Sequence, residues 1–289
     1  MSTATVLMQF SAAPPDAAPN EDRIGLVRNR TGIAAWVVDG ATSVDPAIRM
    51  ADGRRAGEWF ADELSRRLAI HAAAGGMPAD WLRDSLHELQ PAYLQVGGAD
   101  HPDWARPLGA VSLLQLIWSG ADWRVHSLHL ADCPVLVHTQ HTWALHEQYG
   151  REIRVREPDG RDALEVMKER RARIAADPRV AVLSLHPACV EAAMLRETRL
   201  PDGTRLLLAS DGLARAWQEY ALVTREALLT LIADAPRMQR FVAQLRDYEA
   251  AYYAQRPDRL FKSADDVSAL LIALGEPAEP DSRPQGGWQ

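Results

Sequence analysis

The chain of 289 residues is 47% hydrophobic and 25% charged, which is typical of a globular protein and allows one large domain or two small ones. Its 39 acidic and 32 basic residues give a formal net charge of -7, which argues against a broad nucleic-acid-binding surface and suits a cleft that concentrates cations. Two cysteines, Cys133 and Cys189, are too few for a secreted disulfide framework or a cysteine-based zinc site. Because the first residues show no signal peptide and no run of about 18 apolar residues occurs, we expect a cytoplasmic protein without a membrane span.

The first half of the chain shows strands, then helices, then more strands. The apolar run IAAWVV is closed by Asp39-Gly40, which is typical of a buried strand that ends in a turn. Apolar residues at helical spacing follow it, and residues 123–130 alternate as in a half-buried strand. The predicted strands cover 4–10, 33–38, 111–118, 123–130 and 135–139, and the predicted helices cover 46–71 and 78–94.

The second half begins with a highly charged segment, 149–178, which we interpret as a variable, flap-like insertion with a short helix over 162–175. Further strands are predicted over 180–185, 204–209 and 267–274, and further helices over 225–233 and 236–255. The Pro- and Gly-rich tail, 276–289, is expected to be disordered. Segregated strands and helices with hairpin connections indicate one α+β domain over 1–275, with mainly antiparallel sheets covered by helices.

Acidic residues stand beside several of the predicted apolar strands. Asp39, Asp132 and Asp211 follow strands, Asp265-Asp266 precedes the last strand, and Glu21-Asp22 follows the first strand and its loop. A single aspartate of this kind is a common turn residue. Several together repel one another unless a cation lies between them, and their oxygen ligands suit Mg²⁺ or Mn²⁺. The pattern therefore predicts a divalent metal site built from carboxylates that are distant in sequence.

The order of these motifs resembles the metal-dependent serine/threonine protein phosphatase 2C family over nearly the whole chain, 4–274. The matching segments are Asn20-Glu21-Asp22, Val37-Val38-Asp39-Gly40, Leu108-Gly109-Ala110-Val111-Ser112, Ala131-Asp132, Leu207-Leu208-Ala209-Ser210-Asp211-Gly212 and Ser263-Ala264-Asp265-Asp266-Val267-Ser268. The order and spacing of the set carry the resemblance, rather than any single motif. The resemblance implies a divergent, bacterial-type member with two packed antiparallel sheets flanked by helices, an α-β-β-α sandwich.

The resemblance also implies which residues bind metal. Asp39 bridges two metal ions, and the carbonyl of Gly40 helps to bind one of them. Asp211 and Asp265 complete the second site, and Asp132 contributes to a weaker third site. The implied cofactors are therefore two Mn²⁺ or Mg²⁺ ions, with a third ion as an option.

The catalytic residues implied by the resemblance are Glu21, Asp22 and Asp39. Glu21 and Asp22 hold metal-bound waters beside the metal-bridging Asp39. Two metal ions lower the pKa of a shared water, and the hydroxide attacks the phosphorus of phosphoserine or phosphothreonine in line, with no protein nucleophile. The implied enzyme is a metal-dependent phosphoprotein phosphatase.

Three positions depart from the family pattern. The family has an arginine shortly before the acidic pair to grip the phosphate, but Asp16-Ala17-Ala18 occupy that stretch here, so Arg23 or Arg28 is the candidate replacement. Ala41 stands where some members have a histidine proposed as the general acid, and Asp266 replaces the usual Asn. Two alternatives therefore stay open: a catalytically weak, phosphatase-like binding or regulatory module, and a phosphatase of a small phosphate ester.

The expected partners are phosphoprotein substrates in a signalling system with a Ser/Thr kinase, and neither nucleic acid nor membrane is expected. The oligomeric state is left open, with a monomer as a plausible form. The basic run 168–173 in the flap-like insertion is either a solvated helix face or a surface that attracts acidic phosphopeptides. His126 and His129 are three positions apart on a predicted strand and so face opposite sides, which argues against a histidine-based metal site.

Overall fold

Two antiparallel β-sheets lie at the centre of the computed structural model, which describes residues 2–15, 19–148, 161–177, 179–255 and 264–275, without the side chain of residue 163. The strands of this part are β1 (Ala4–Ala12), β2 (Asp22–Arg28), β3 (Ile33–Gly40), β4 (Leu108–Trp118), β5 (Trp123–Leu130), β6 (Val135–His138), β7 (Thr142–His146), β8 (Leu183–Ser184), β9 (Met194–Leu200), β10 (Arg205–Ala209) and β11 (Val267–Leu274). Its α-helices are α1 (Ala56–Ala74), α2 (Pro78–Gln95), α3 (Ala163–Ala176), α4 (Asp211–Gln218), α5 (Arg225–Leu231) and α6 (Ala235–Ala254).

The two sheets have different strand orders. One sheet runs β2-β3-β4-β5-β9, with the short β8 paired to the start of β4. The other sheet runs β1-β11-β10-β6-β7, so that the first and last described strands lie side by side. The pairings between the described strands are all antiparallel, as the sequence predicted.

Central strands bury both of their faces, which explains their continuous apolar sequences. In β3, Ala34, Trp36 and Val38 pack toward α1 and α2, whereas the alternate residues pack against the other sheet. The side chains of β11 alternate in the same way: one face packs against the helices that cover its sheet, and the other packs against the opposite sheet. An apolar layer therefore lies between the two sheets.

The helices cover the outer faces of the two sheets. α1 and α2 pack on the β2-to-β9 sheet through a buried face that includes Trp59, Phe60 and Leu82. α4, α5 and α6 pack on the other sheet through residues such as Leu213 and Phe241. The predicted α-β-β-α sandwich of the α+β class is confirmed.

Two predicted elements were placed wrongly. The helix predicted from residue 46 begins only at Ala56, because residues before it form turns in which Gly53 has a positive φ of 86° and donates to the carbonyl of Met50 at 2.9 Å. The strand predicted over 180–185 is reduced to Leu183–Ser184, because Val182 donates back to Val180 at 2.7 Å in a tight turn.

Four elements were missed by the sequence reasoning. β2, β7 and β9 are edge strands of their sheets, and edge strands keep polar residues on their open sides. Most of β9 is exposed, so it lacks the apolar run that marks a central strand. No helix was predicted for α4, which opens on Asp211-Gly212, a dipeptide that is common in turns.

The predicted insertion and tail are only partly covered by the structure. Within 149–178 it describes α3, which confirms the short helix, whereas 149–160, residue 178 and the tail 276–289 lie outside the described residues. None of the helices in the described ranges is both long and apolar enough to cross a membrane.

Candidate active site

The first group of acidic residues lies where β2 and β3 pair. Asp22 opens β2 and stands opposite Asp39 in the antiparallel register. The N–H of Gly40 donates to the carbonyl of Glu21 at 3.0 Å. A Cβ at Gly40 would lie 2.5 Å from the carbonyl oxygen of Gly57, so only glycine allows the start of α1 to approach this closely. The pairing of two strands thus fixes three of the predicted acidic residues side by side.

The second group lies at the neighbouring ends of β10 and β11. Asp211 begins α4 directly after β10, and Asp265 and Asp266 directly precede β11. The N–H of Ser210 donates to a carbonyl of β11 at 3.0 Å, and its hydroxyl accepts from a β11 N–H at 2.9 Å. A Cβ at Gly212 would lie 1.9 Å from the carbonyl oxygen of Asp266, so glycine is required here too.

A buried hydrogen bond joins the two groups across the sheets. The N–H of Glu21 donates to Oδ2 of Asp266 at 2.9 Å, although these residues are far apart in sequence. Glu21 and Asp22 are each only 2% exposed. Asp132 follows β5 in a turn where Ala131 has a left-handed φ of 60°. Acidic residues from five separate parts of the chain therefore form one acidic group at an edge of the sandwich.

The charges of these carboxylates act on one another. Burial raises the pKa of both Asp39 and Asp22 well above the usual range, and neighbouring carboxylates raise it further. Burial, followed by the charge of Asp211, raises the pKa of Asp132 to about 7. The carboxylates that raise the pKa of Asp39 are Asp22, Asp211, Asp265 and Asp132. The structure thus brings the predicted metal-binding aspartates together, where their negative charge is only partly compensated.

Asp22 lies on the side of the acidic group where the negative charge is not compensated. Both of its carboxylate oxygens are buried and accept no hydrogen bond from the described residues. The hydroxyl of Ser210 lowers the pKa of Asp22 in part, against the larger effects of burial and of Asp266. Burial of an unpaired carboxylate is costly, and a set of carboxylate and carbonyl oxygens suits a hard divalent cation. These residues fit a bound Mg²⁺ or Mn²⁺ ion.

Arg215 compensates the other side, and its sequence position gave no hint of this role. Its Nη2 lies 3.1 Å from Oδ2 of Asp265 and 3.5 Å from Oδ2 of Asp211. In the described part of the chain, no three His, Cys, Asp or Glu side chains stand in an arrangement ready for a metal ion. The carboxylates expected to complete the second metal site contact an arginine instead.

The two arginines considered for phosphate binding are held by other protein atoms. Arg23 donates to the carbonyls of Asn20 and Asp22, each at 2.8 Å, and its Nε bonds to Asp62 at 3.0 Å. Arg28 lies at the other end of β2 and donates to the carbonyl of Ala4 at 2.9 Å. Arg23 therefore supports the backbone that carries Asp22, and neither side chain is presented to a substrate.

Arg171 of α3 is a further residue that the sequence reasoning missed. It lies in the basic run 168–173, but it is only 8% exposed, so it does not belong to a solvated helix face. Its guanidinium donates to the carbonyls of Trp104, Thr42 and Arg106 at 3.0, 3.1 and 3.2 Å. Burial lowers its pKa to about 10, while the charge of Glu21 acts in the opposite direction. α3 is thus anchored beside the acidic group.

No protein-family model matches the sequence, and no curated protein matches it significantly. Solved structures do match it. The catalytic domain of the serine/threonine protein phosphatase PstP, in complex with two manganese ions, superposes with a TM-score of 0.58 at 14% identity, over 96% of this chain and 100% of that chain.

Two further matches agree with the first. The serine/threonine phosphatase PstP/Ppp of Mycobacterium tuberculosis has a TM-score of 0.55 at 16% identity, over 94% of this chain and 99% of that one. PppA, a regulatory component of the T6SS in Pseudomonas aeruginosa, has a TM-score of 0.55 at 17% identity, over 94% and 98%. At these identities the similarity concerns the fold. The chain has the phosphatase 2C-type fold of these bacterial enzymes, as the order of its motifs indicated.

Proposed function

We propose that the chain is a phosphoprotein phosphatase that uses Mn²⁺ or Mg²⁺ to hydrolyse phosphoserine and phosphothreonine. The observation that carries this proposal is the meeting of Asp22, Asp39, Asp132, Asp211 and Asp265 at one edge of this fold. Solved structures with the same fold are serine/threonine phosphatases, and one of them contains two manganese ions.

The acidic residues at the strand ends support the following metal-binding roles, which we propose. Asp39 and the carbonyl of Gly40 would hold an ion at the end of β3, and Asp132 after β5 would add a further carboxylate to the site. Glu21 and Asp22 would orient water molecules bound to the ion. A bound divalent cation lowers the pKa of water, which supplies hydroxide, and it neutralises phosphate oxygens. The two cysteines are buried and free, so neither supplies an accessible thiol nucleophile.

The substrates that we propose are phosphoproteins made by a Ser/Thr kinase, encountered in the cytoplasm by a monomer of this chain. Arg171 anchors α3 beside Glu21, which supports a role of the basic helix in binding a phosphorylated segment. Exposed cations of α3, such as Arg170 and Arg173, are placed to attract acidic residues that flank the phosphate.

A second candidate is a regulatory module that binds phosphoproteins with little or no turnover. Two observations favour it: Arg215 contacts two of the expected metal ligands, and neither Arg23 nor Arg28 is available to grip a phosphate. Calorimetry that shows metal and phosphopeptide binding without hydrolysis would select this candidate. Hydrolysis of small phosphate esters but not of phosphopeptides would instead indicate a phosphatase of a small phosphate ester.

The test measures hydrolysis of para-nitrophenyl phosphate, phosphoserine and phosphothreonine peptides, and small phosphate esters by the purified chain with Mn²⁺. We expect Asp39→Asn to lower the rate by about 100-fold or more, which is about 2.7 kcal/mol of transition-state stabilisation. The matched control is Asp84→Asn, because Asp84 is an exposed carboxylate on α2. Equal rates for the wild type and Asp39→Asn would rule out the proposed active site.

A further inference from the structure

Arg215 contacts one half of the acidic group. It stands one helical turn after Asp211 on α4, so the two side chains share a helix face. The same Nη2 lies 3.5 Å from Asp211 and 3.1 Å from Asp265. A guanidinium does not lose its proton in a protein, so it brings a permanent positive charge to these two carboxylates.

The neighbourhood of Arg215 keeps this contact in place. Gly212 packs α4 against the backbone of Asp266, where no side-chain atom would fit. Arg246 of α6 donates to the carbonyl of Asp265 and is itself paired with the buried Glu249 at 2.7 Å. Both the helix that carries Arg215 and the segment that carries its partner are therefore fixed by packing and hydrogen bonds.

The two halves of the acidic group differ in the charge that balances them. Asp22, on the β2–β3 side, has buried oxygens that accept no hydrogen bond from the described residues. Asp211 and Asp265, on the β10–β11 side, already contact a cation that belongs to the chain. A divalent ion placed against the latter two would lie next to the guanidinium and be repelled by it.

We infer that Arg215 takes the place of one divalent cation, so that the chain binds a single ion on the side of Asp22 and Asp39. This inference rests on the proposed function in one respect, namely that the acidic group is a cation site. It concerns the number of ions rather than the reaction. Asp211 and Asp265 then serve to hold Arg215 rather than a metal ion.

The experiment counts Mn²⁺ ions bound to the purified full chain by isothermal titration calorimetry with manganese chloride alone. We expect one ion in the wild type and two in Arg215→Met, which keeps the length of the side chain but removes its charge. Arg215→Lys keeps the charge and is expected to bind one ion. Arg240→Met is the control, because Arg240 is an exposed arginine on α6.

A second measurement does not depend on the folding of Arg215→Met. Because Asp211 contacts Arg215 rather than the ion, Asp211→Asn is expected to keep one Mn²⁺ ion with less than about a tenfold loss of affinity. Asp39→Asn is expected to abolish binding. Loss of the ion in Asp211→Asn would overturn the inference.

The inference and the proposed function fail in different ways. Two ions in the wild type, or no additional ion in Arg215→Met, would overturn the inference even if the protein hydrolyses phosphopeptides. One ion in the wild type and two in Arg215→Met would support it even if no substrate were hydrolysed. The ion count therefore tests Arg215 separately from catalysis.

Discussion

The two sides of the acidic group are built in the same way, but the negative charge of their carboxylates is balanced differently. On the β2–β3 side, strand pairing sets Asp22 against Asp39, and Asp22 has no hydrogen-bond partner for its buried oxygens among the described residues. On the β10–β11 side, Arg215 contacts both Asp211 and Asp265. The difference teaches that a set of aspartates at strand ends does not by itself fix the number of metal ions. We infer that a nearby arginine lowers that number.

Both sides also depend on a glycine at a close backbone contact, and this gives the largest expected effect on stability. The Cβ of Gly212→Ala would meet the Asp266 carbonyl oxygen at 1.9 Å, whereas that of Gly40→Ala would meet the Gly57 carbonyl oxygen at 2.5 Å. We expect losses of about 3 and about 2 kcal/mol in the free energy of unfolding, measured by urea denaturation without metal.

Gly120→Ala is the matched control for these glycines. Gly120 has a φ of 93° but no atom within 4 Å of its Cβ position, so only backbone strain of about 1 kcal/mol is expected. A loss for Gly212→Ala no larger than that for Gly120→Ala would show that α4 does not pack closely on the start of β11.

Neutral substitutions should change stability in opposite directions on the two sides. Without metal, Asp22→Asn removes a buried negative charge among other carboxylates and is expected to stabilise the chain by about 1 kcal/mol. Asp265→Asn removes a partner of Arg215 and is expected to destabilise it by about 2 kcal/mol. Thermal and urea unfolding measure both, with Asp84→Asn as the unchanged control. A change in the free energy of unfolding with the same sign in both variants would mean that the negative charge is balanced alike on the two sides.

The sequence predicted the elements that bury apolar residues on both faces. β3 and β11 are central strands, and each was predicted with its start at the correct residue. The sequence did not predict β9, because β9 is an exposed edge strand rich in charged residues. Edge strands are specified by their neighbour in the sheet rather than by their own periodicity.

The sequence predicted the aspartates of the candidate site, but it did not predict the arginine that compensates part of their negative charge. Asp39, Asp132 and Asp211 are visible as acidic residues that end apolar runs. Arg215 was missed because no helix was predicted after Asp211, so the spacing of four residues between Asp211 and Arg215 had no structural meaning. Its contact with Asp265 depends on the pairing of β10 with β11, which spacing along the chain does not reveal.

The most direct test of the account is thermal unfolding of the wild type and Asp39→Asn, each with and without Mn²⁺. Binding to the folded state alone raises the free energy of unfolding by about 2.7 kcal/mol when the ion is about 100-fold above its Kd. The account predicts this increase in the wild type and none in Asp39→Asn. No increase in the wild type, or an equal increase in both proteins, would contradict a cation site at the end of β3.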